Sequence, residues 1–131
     1  MSGLESRPKA LLIVEAAKEK LAEEIVALDV RQAVSFADVF IVATGRSDRQ
    51  VRAIGDGIAA ALTAAGEKPL GTEGYEEGRW LLMDFGDVIV HIFQPDVRQH
   101  YDLERLWSEA SVLDLAPPAP RKETLVRRKR K

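Results

Sequence analysis

Apolar positions recur at different periods along this chain, and each period predicts an element. Leu11, Val14, Lys18, Leu21 and Ile25 follow at steps of three and four, with Lys18 at the margin of the stripe. That spacing predicts an amphipathic helix. Pro8 suits its first turn, where the N–H that proline lacks would be unpaired anyway. "IVALDVRQ" (25–32) reads as a strand, "VSFAD" (34–38) as a turn. "VFIVATG" (39–45) is a near-continuous apolar run, the mark of a strand buried on both faces. Gly45 ends it, and "SDRQ" opens a second helix. Ser47 can cap with its hydroxyl while Gln50 reaches back, a capping box. Val51, Ile54, Ile58, Leu62 and Ala65 form its stripe, and Gly66 ends it in the left-handed conformation. Gly55 and Gly57 each cost that helix about 1 kcal/mol against Ala. Close approach to the sheet is the expected reason.

"PLGTEGY" (69–75) is a short extended segment. "RWLLMDF" (79–85) and "VIVHIFQ" (88–94) are strands joined by Gly86-Asp87, a two-residue loop of type II′. Pro95 stops the ladder. "DVRQHYDLERLW" (96–107) reads as a last helix, continuous or broken near His100. The run from "VFIVATG" through its helix to "PLGTEGY" is a crossover unit, so those two strands should run parallel. The class is α/β: a mixed sheet of about five strands with two or three flanking helices. Ala116-Pro117-Pro118-Ala119-Pro120 can continue neither helix nor ladder. The domain is therefore expected over 1–115, with 116–131 a Pro-rich, then basic, flexible tail.

Charge sharpens this division. Of 19 Lys/Arg in the 131 residues, seven lie in 121–131 beside one of the 21 Asp/Glu. An acidic body thus carries a basic tail, which is either a solvated end or a phosphate-seeking segment with salt-sensitive affinity for RNA. No apolar run approaches the roughly 20 residues that span a bilayer. The N-terminal stretch reads as a cytosolic start rather than a signal peptide. With no cysteine, disulfides and thiolate metal sites are excluded.

Several chemical readings fail on their missing partners. "DFG" (84–86) resembles the magnesium-holding triplet of kinases, but no Gly-rich loop, strand Lys or His-Arg-Asp loop accompanies it. "TGRSDR" (44–49) could offer backbone N–H groups to a phosphate. Nucleotidyltransferases follow such a turn with an Asp-x-Asp pair for magnesium, and none exists here. A nucleotide-binding enzyme remains the alternative reading, with Ser47 as a plain helix cap the better one. His91, in mid-strand, reads as a packed residue. His100 has acids nearby but no second imidazole in reach of sequence. No catalytic residue, metal or cofactor is expected.

The hairpin points to a surface instead. With Gly86-Asp87 as its turn, Leu81, Met83, Phe85, Val88, Val90 and Ile92 share one apolar face. The other face pairs Trp80 with Phe93, Leu82 with His91 and Asp84 with Ile89. If the helices all cover the first face, this second one is open, with the anatomy of a protein interface. If the last helix folds over, it is buried.

"ADVFIVATGRSDRQVRAI" and "PLGTEGYEEGRWLLMDFGDVIVHIFQPDVRQHYDLERLW" resemble the ribosomal silencing factor, or Iojap, family from about Ala10 to Trp107. The resemblance implies a nucleotidyltransferase-like fold without catalytic aspartates, in a cytoplasmic protein that is a homodimer when free. It implies a repressor that binds the fourteenth protein of the large ribosomal subunit at the intersubunit face and blocks joining of the small subunit. Organellar relatives act in large-subunit assembly, a second alternative. The expected partner-binding residues are Trp80, Leu82, Asp84, His91 and Phe93, with Tyr75, Glu76 and Tyr101 nearby. The basic tail is a candidate for contact with ribosomal RNA.

Overall fold

The first helix stops short of the stripe that predicts it. In the computed structural model, which describes residues 5–101 and 111–112, α1 covers Ser6–Glu19. The N–H of Leu21 donates to Lys18 O (2.9 Å), and that of Ala22 to Ala17 O (3.0 Å). These are the paired bonds of a Schellman close, with Leu21 at φ +64°. Glycine usually takes that left-handed place, so without one the apolar spacing reads straight through the stop. Leu21 is 75 % exposed, and Ile25 belongs to β1 (Glu23–Asp29).

The remaining elements are β2 (Val39–Thr44), α2 (Asp48–Ala64), β3 (Gly71–Glu73), β4 (Trp80–Asp84), β5 (Val88–Phe93), α3 (Pro95–Tyr101) and β6 (Ser111–Val112). They form the expected α/β arrangement around one mixed sheet, ordered β3-β4-β5-β2-β1-β6. Among the described residues, only β2 and β5 pair in parallel. β2 and β3 run in the same direction, as the crossover requires, but β4 and β5 lie between them. The reason is burial. Every residue of β2 and β5 is buried, so these strands take the centre, while the three exposed residues of β3 take an edge.

The hairpin register is the expected one, with Trp80 opposite Phe93, Leu82 opposite His91 and Asp84 opposite Ile89. Gly86 sits at φ +92° in its turn. The first sheet face, with Ile41, Leu81, Met83, Val90 and Ile92, packs on Ile13 and Ala17 of α1 and on Val51, Ile54, Ile58 and Leu62 of α2. Each fully buried Ile or Leu there contributes about 1.5–3 kcal/mol. Gly55 lies directly on the Leu81 side chain, as close approach to the sheet demands. Gly57 instead faces the stem of Lys20, beyond the end of α1.

The third helix crosses to the second face. Val97 joins Leu28, Phe40, Val42, Ile89 and Phe93 there, together with Val30 and Ala37 from the β1–β2 connection. Each of the two expected outcomes therefore holds in part. The middle of the second face is covered, and among the described residues nothing packs over its β4–β3 edge. Among the described residues, no helix is long and apolar enough to cross a membrane. The expected boundary near Leu115 and the tail 116–131 lie outside the described residues.

Candidate functional site

Trp80 and Leu82 are the half-buried apolar residues that β4 gives to the second face. Both point into a groove of about 850 Å³ at the β4 edge, completed by Glu73, Gly74, Glu77, Arg79, Asp96 and Val97. Glu73 pairs with Leu82 across β3–β4, so its carboxylate shares the face of Leu82 and Trp80. Arg79 donates to Asp96 Oδ2 at 3.0 Å, and that bond holds the Asp96 carboxyl below its usual range. Both are exposed.

The local fold behind the groove is tightly specified. Gln94, just ahead of α3, donates its backbone N–H to Arg79 O (3.0 Å) and its side-chain amide to Gly78 O (2.9 Å). Pro95 then opens α3, where its missing N–H costs nothing. Arg98 is buried and its Nη1 donates to Glu24 O (2.7 Å) and Thr44 Oγ1 (2.8 Å). This clamps α3 to the ends of β1 and β2, and so fixes the wall that Val97 supplies.

His91 and Phe93 lie behind the groove and do not line it. They are 6 % and 0 % exposed, because α3 and the neighbouring strands leave no path to them. Their role is support: the Trp80 ring lies 4.9 Å from that of Phe93, and its indole N–H donates to His91 Nδ1 at 3.3 Å. Burial pushes the His91 pKa down to about 4, so the ring is neutral at pH 7.

Asp84 shares the face but lies about 13 Å along β4 from Trp80. Its Oδ1 accepts the Gly86 N–H at 2.8 Å, so within "DFG" Asp84 braces the hairpin turn. Tyr75 and Glu76 turn the other way. Tyr75 OH donates to Asp56 on α2 (3.0 Å), which raises its pKa, and Arg52 donates to Glu76 O (3.0 Å). They pin the β3–β4 loop to the helical layer rather than line the groove. The Tyr101 side chain lies outside the described residues. Glu73, Gly74, Glu77, Arg79, Asp96 and Val97 are the groove residues that sequence reasoning missed. Glu73 was within reach of it, since alternation along "GTEGY" puts it on one face with Gly71.

The "TGRSDR" turn is occupied by its own side chains. Ser47 Oγ accepts from Gln50 N (3.1 Å), and Gln50 Oε1 accepts from Arg46 N (2.7 Å), one residue earlier than in a capping box. Asp48 Oδ1 accepts from Arg49 N (2.9 Å). The N–H groups of Arg46, Arg49 and Gln50 are thus taken up by side chains of the turn itself, and the Asp48 carboxylate stands among them.

What fold and site define is an α/β protein with an aromatic, acid-rimmed groove at one edge of its sheet. The sequence model of the family described as "Ribosomal silencing factor during starvation" matches residues 4–131. A ribosomal silencing factor of Bacillus subtilis is 42% identical over 109 residues, which cover 82% of this chain and 92% of that protein. A crystal structure of a Chromobacterium violaceum protein aligns with TM-score 0.78 at 40% identity, over 80% of this chain and 88% of that one. A mouse protein named for mitochondrial assembly of the ribosomal large subunit is 26% identical over 106 residues, covering 79% of this chain and 46% of its own. The chain belongs to the ribosomal silencing factor family.

Proposed function

We propose that this protein is a non-catalytic repressor of translation that seats its Trp80 groove on the large ribosomal subunit and blocks joining of the small one. The observation that carries this reading is the groove itself. Trp80 and Leu82 offer apolar area at an open sheet edge, and Glu73 and Glu77 ring it with negative charge. A large aromatic side chain in a rimmed pocket is the usual anchor of a protein interface. The acidic rim selects a basic partner, which ribosomal proteins at an RNA surface are. Within the subunit, the fourteenth protein at the intersubunit face is the contact on this reading, and the cytoplasm is where it is made. Repression then requires no reaction, only an affinity that competes with subunit joining.

Incubating purified large subunits with the protein before adding small subunits tests this. The fraction of joined ribosomes on a sucrose gradient should fall with protein concentration. Joining that proceeds undiminished at saturating protein contradicts the reading. The mouse relative's name favours a second role in large-subunit assembly. Cells lacking the protein would then accumulate incomplete large particles rather than excess joined ribosomes.

A further inference from the structure

The groove is acidic, and the chain carries a basic segment of its own. Among the described residues, neither Glu73 nor Glu77 has an ion-pair partner, whereas Arg79 is held by Asp96. The floor is the Trp80 ring beside Leu82. A guanidinium or ammonium seats well against such a site, because the ring face attracts a cation and the carboxylates accept its N–H groups.

The topology sends the basic segment toward this place. β6 is antiparallel to β1, and β1 to β2, so β6 runs in the direction of β2 and β5. β5 runs from Val88 at the hairpin to Phe93 opposite Trp80. The backbone therefore leaves Val112 heading for the end of the sheet that holds Trp80 and α3. Val112 lies level with Asp84, so Trp80 is four strand spacings across, about 19 Å, and four residues along, about 13 Å, or about 23 Å in all. Residues 113–120 can span about 26 Å when extended, and Ala116–Pro120 favours extended backbone. That reach is long enough for 121–131, with seven Lys/Arg and one Glu, to meet the groove. A second acid-rimmed groove among the described residues, between α1 and α2, lies on the opposite side of the sheet. Ala16, Gly57, Ala60 and Ala61 line it, with no aromatic ring to receive a cation.

We propose that residues 121–131 are a built-in ligand of the Trp80 groove, filling it in the free chain and yielding to the ribosomal partner. A tether of this length gives an effective concentration in the millimolar range, so weak intrinsic affinity suffices. The competition rests on the function proposed above; the occupancy does not.

The test compares the ¹⁵N-labelled full chain with a full-length variant carrying Gln at Arg127, Arg128, Lys129, Arg130 and Lys131. The Glu73, Glu77 and Val97 amides and the Trp80 indole should shift at low salt, and the difference should fade by about 0.5 M salt. Glu73→Gln/Glu77→Gln in the wild-type tail background should move the 121–131 amides in turn. Groove signals that stay put, or changes confined to Glu15, Glu19 and Asp56, overturn the proposal. In a second arm, the tail variant should bind purified large subunits roughly two- to tenfold more tightly than wild type. Weaker binding with unmoved groove signals assigns the tail to RNA and likewise overturns it. If the groove signals shift but neither chain binds large subunits, the occupancy stands and the ribosomal reading of the groove falls.

Discussion

Trp80 rests on His91: its indole N–H donates to Nδ1 at 3.3 Å across the β4–β5 pair, which puts the imidazole proton on Nε2. The anchor of the groove thus depends on a neutral, buried histidine. Protonating His91 would remove the acceptor and place a charge among Phe40, Phe93 and Trp80.

A pH dependence follows. The folded pKa is about 4 against 6.5 for the ordinary side chain, so the unfolded chain binds the extra proton first. Stability is then full above about 6.5, falls as pH drops toward 4, and levels off below. The loss reaches about 3 kcal/mol, counting about 1.4 kcal/mol per pKa unit. Urea titrations between pH 7.5 and 4 should show this slope in the wild type. His91→Gln keeps an acceptor for the indole and does not titrate, so the difference between the two curves should carry the His91 contribution. Parallel curves would contradict the assignment.

Lys9 is expected to matter for stability and not for binding. It belongs to α1, and its buried Nζ donates to Asp87 Oδ1 (2.7 Å) and Phe85 O (3.1 Å), and lies 3.4 Å from Glu67. Burial works against the charge, but the bond to Asp87 and the pull of Asp87 and Glu67 outweigh it and raise the pKa. This stability is present below the ordinary value of 10.5 and is lost as pH rises through the higher folded value. Lys9→Met should cost about 1–3 kcal/mol by denaturant unfolding, because it leaves buried acceptors unpaired. Large-subunit affinity at a temperature where the variant is folded should not change.

Gly74 and Gly66 offer a controlled comparison, since both sit at φ +86°. An alanine at Gly66 meets nothing within 4 Å, so Gly66→Ala should cost only the left-handed strain, about 1–2 kcal/mol. At Gly74 the added methyl would run into the Trp80 carbonyl. Gly74→Ala should therefore cost clearly more than Gly66→Ala and should disturb the Trp80 signals. Equal costs would show that the β3–β4 loop yields freely.

The parts of this fold legible in the sequence are those set by local periodicity. Alternation plus Gly86-Asp87 fixes the β4–β5 register to the residue, and Ser47 and Gly66 bracket α2. The end of α1 is hidden because Leu21 fills a glycine's place. The neighbours of β2 are hidden too. Pairing it with β5 rather than β3 is a choice between distant strands, made by which runs must be buried. The site divides in the same way. Trp80 and Leu82 follow from alternation, but the burial of His91 and Phe93 depends on where α3 lands. Asp96 and Val97 enter the groove only because Arg98 clamps that helix to β1 and β2. Tyr75 meets the helical layer, which a loop residue has no period to reveal.

The central claim is that the Trp80 groove is the seat of the large subunit, and co-sedimentation measures it most directly. Leu82→Arg puts a cation into the half-buried floor of the groove and should leave the core on the other face intact, which circular dichroism and a thermal melt would verify. The variant should bind purified large subunits at least about tenfold more weakly than wild type, the loss of about 1.4 kcal/mol that defines a significant interface residue. A folded Leu82→Arg protein that pellets with large subunits as well as wild type would place the binding surface elsewhere and contradict the account.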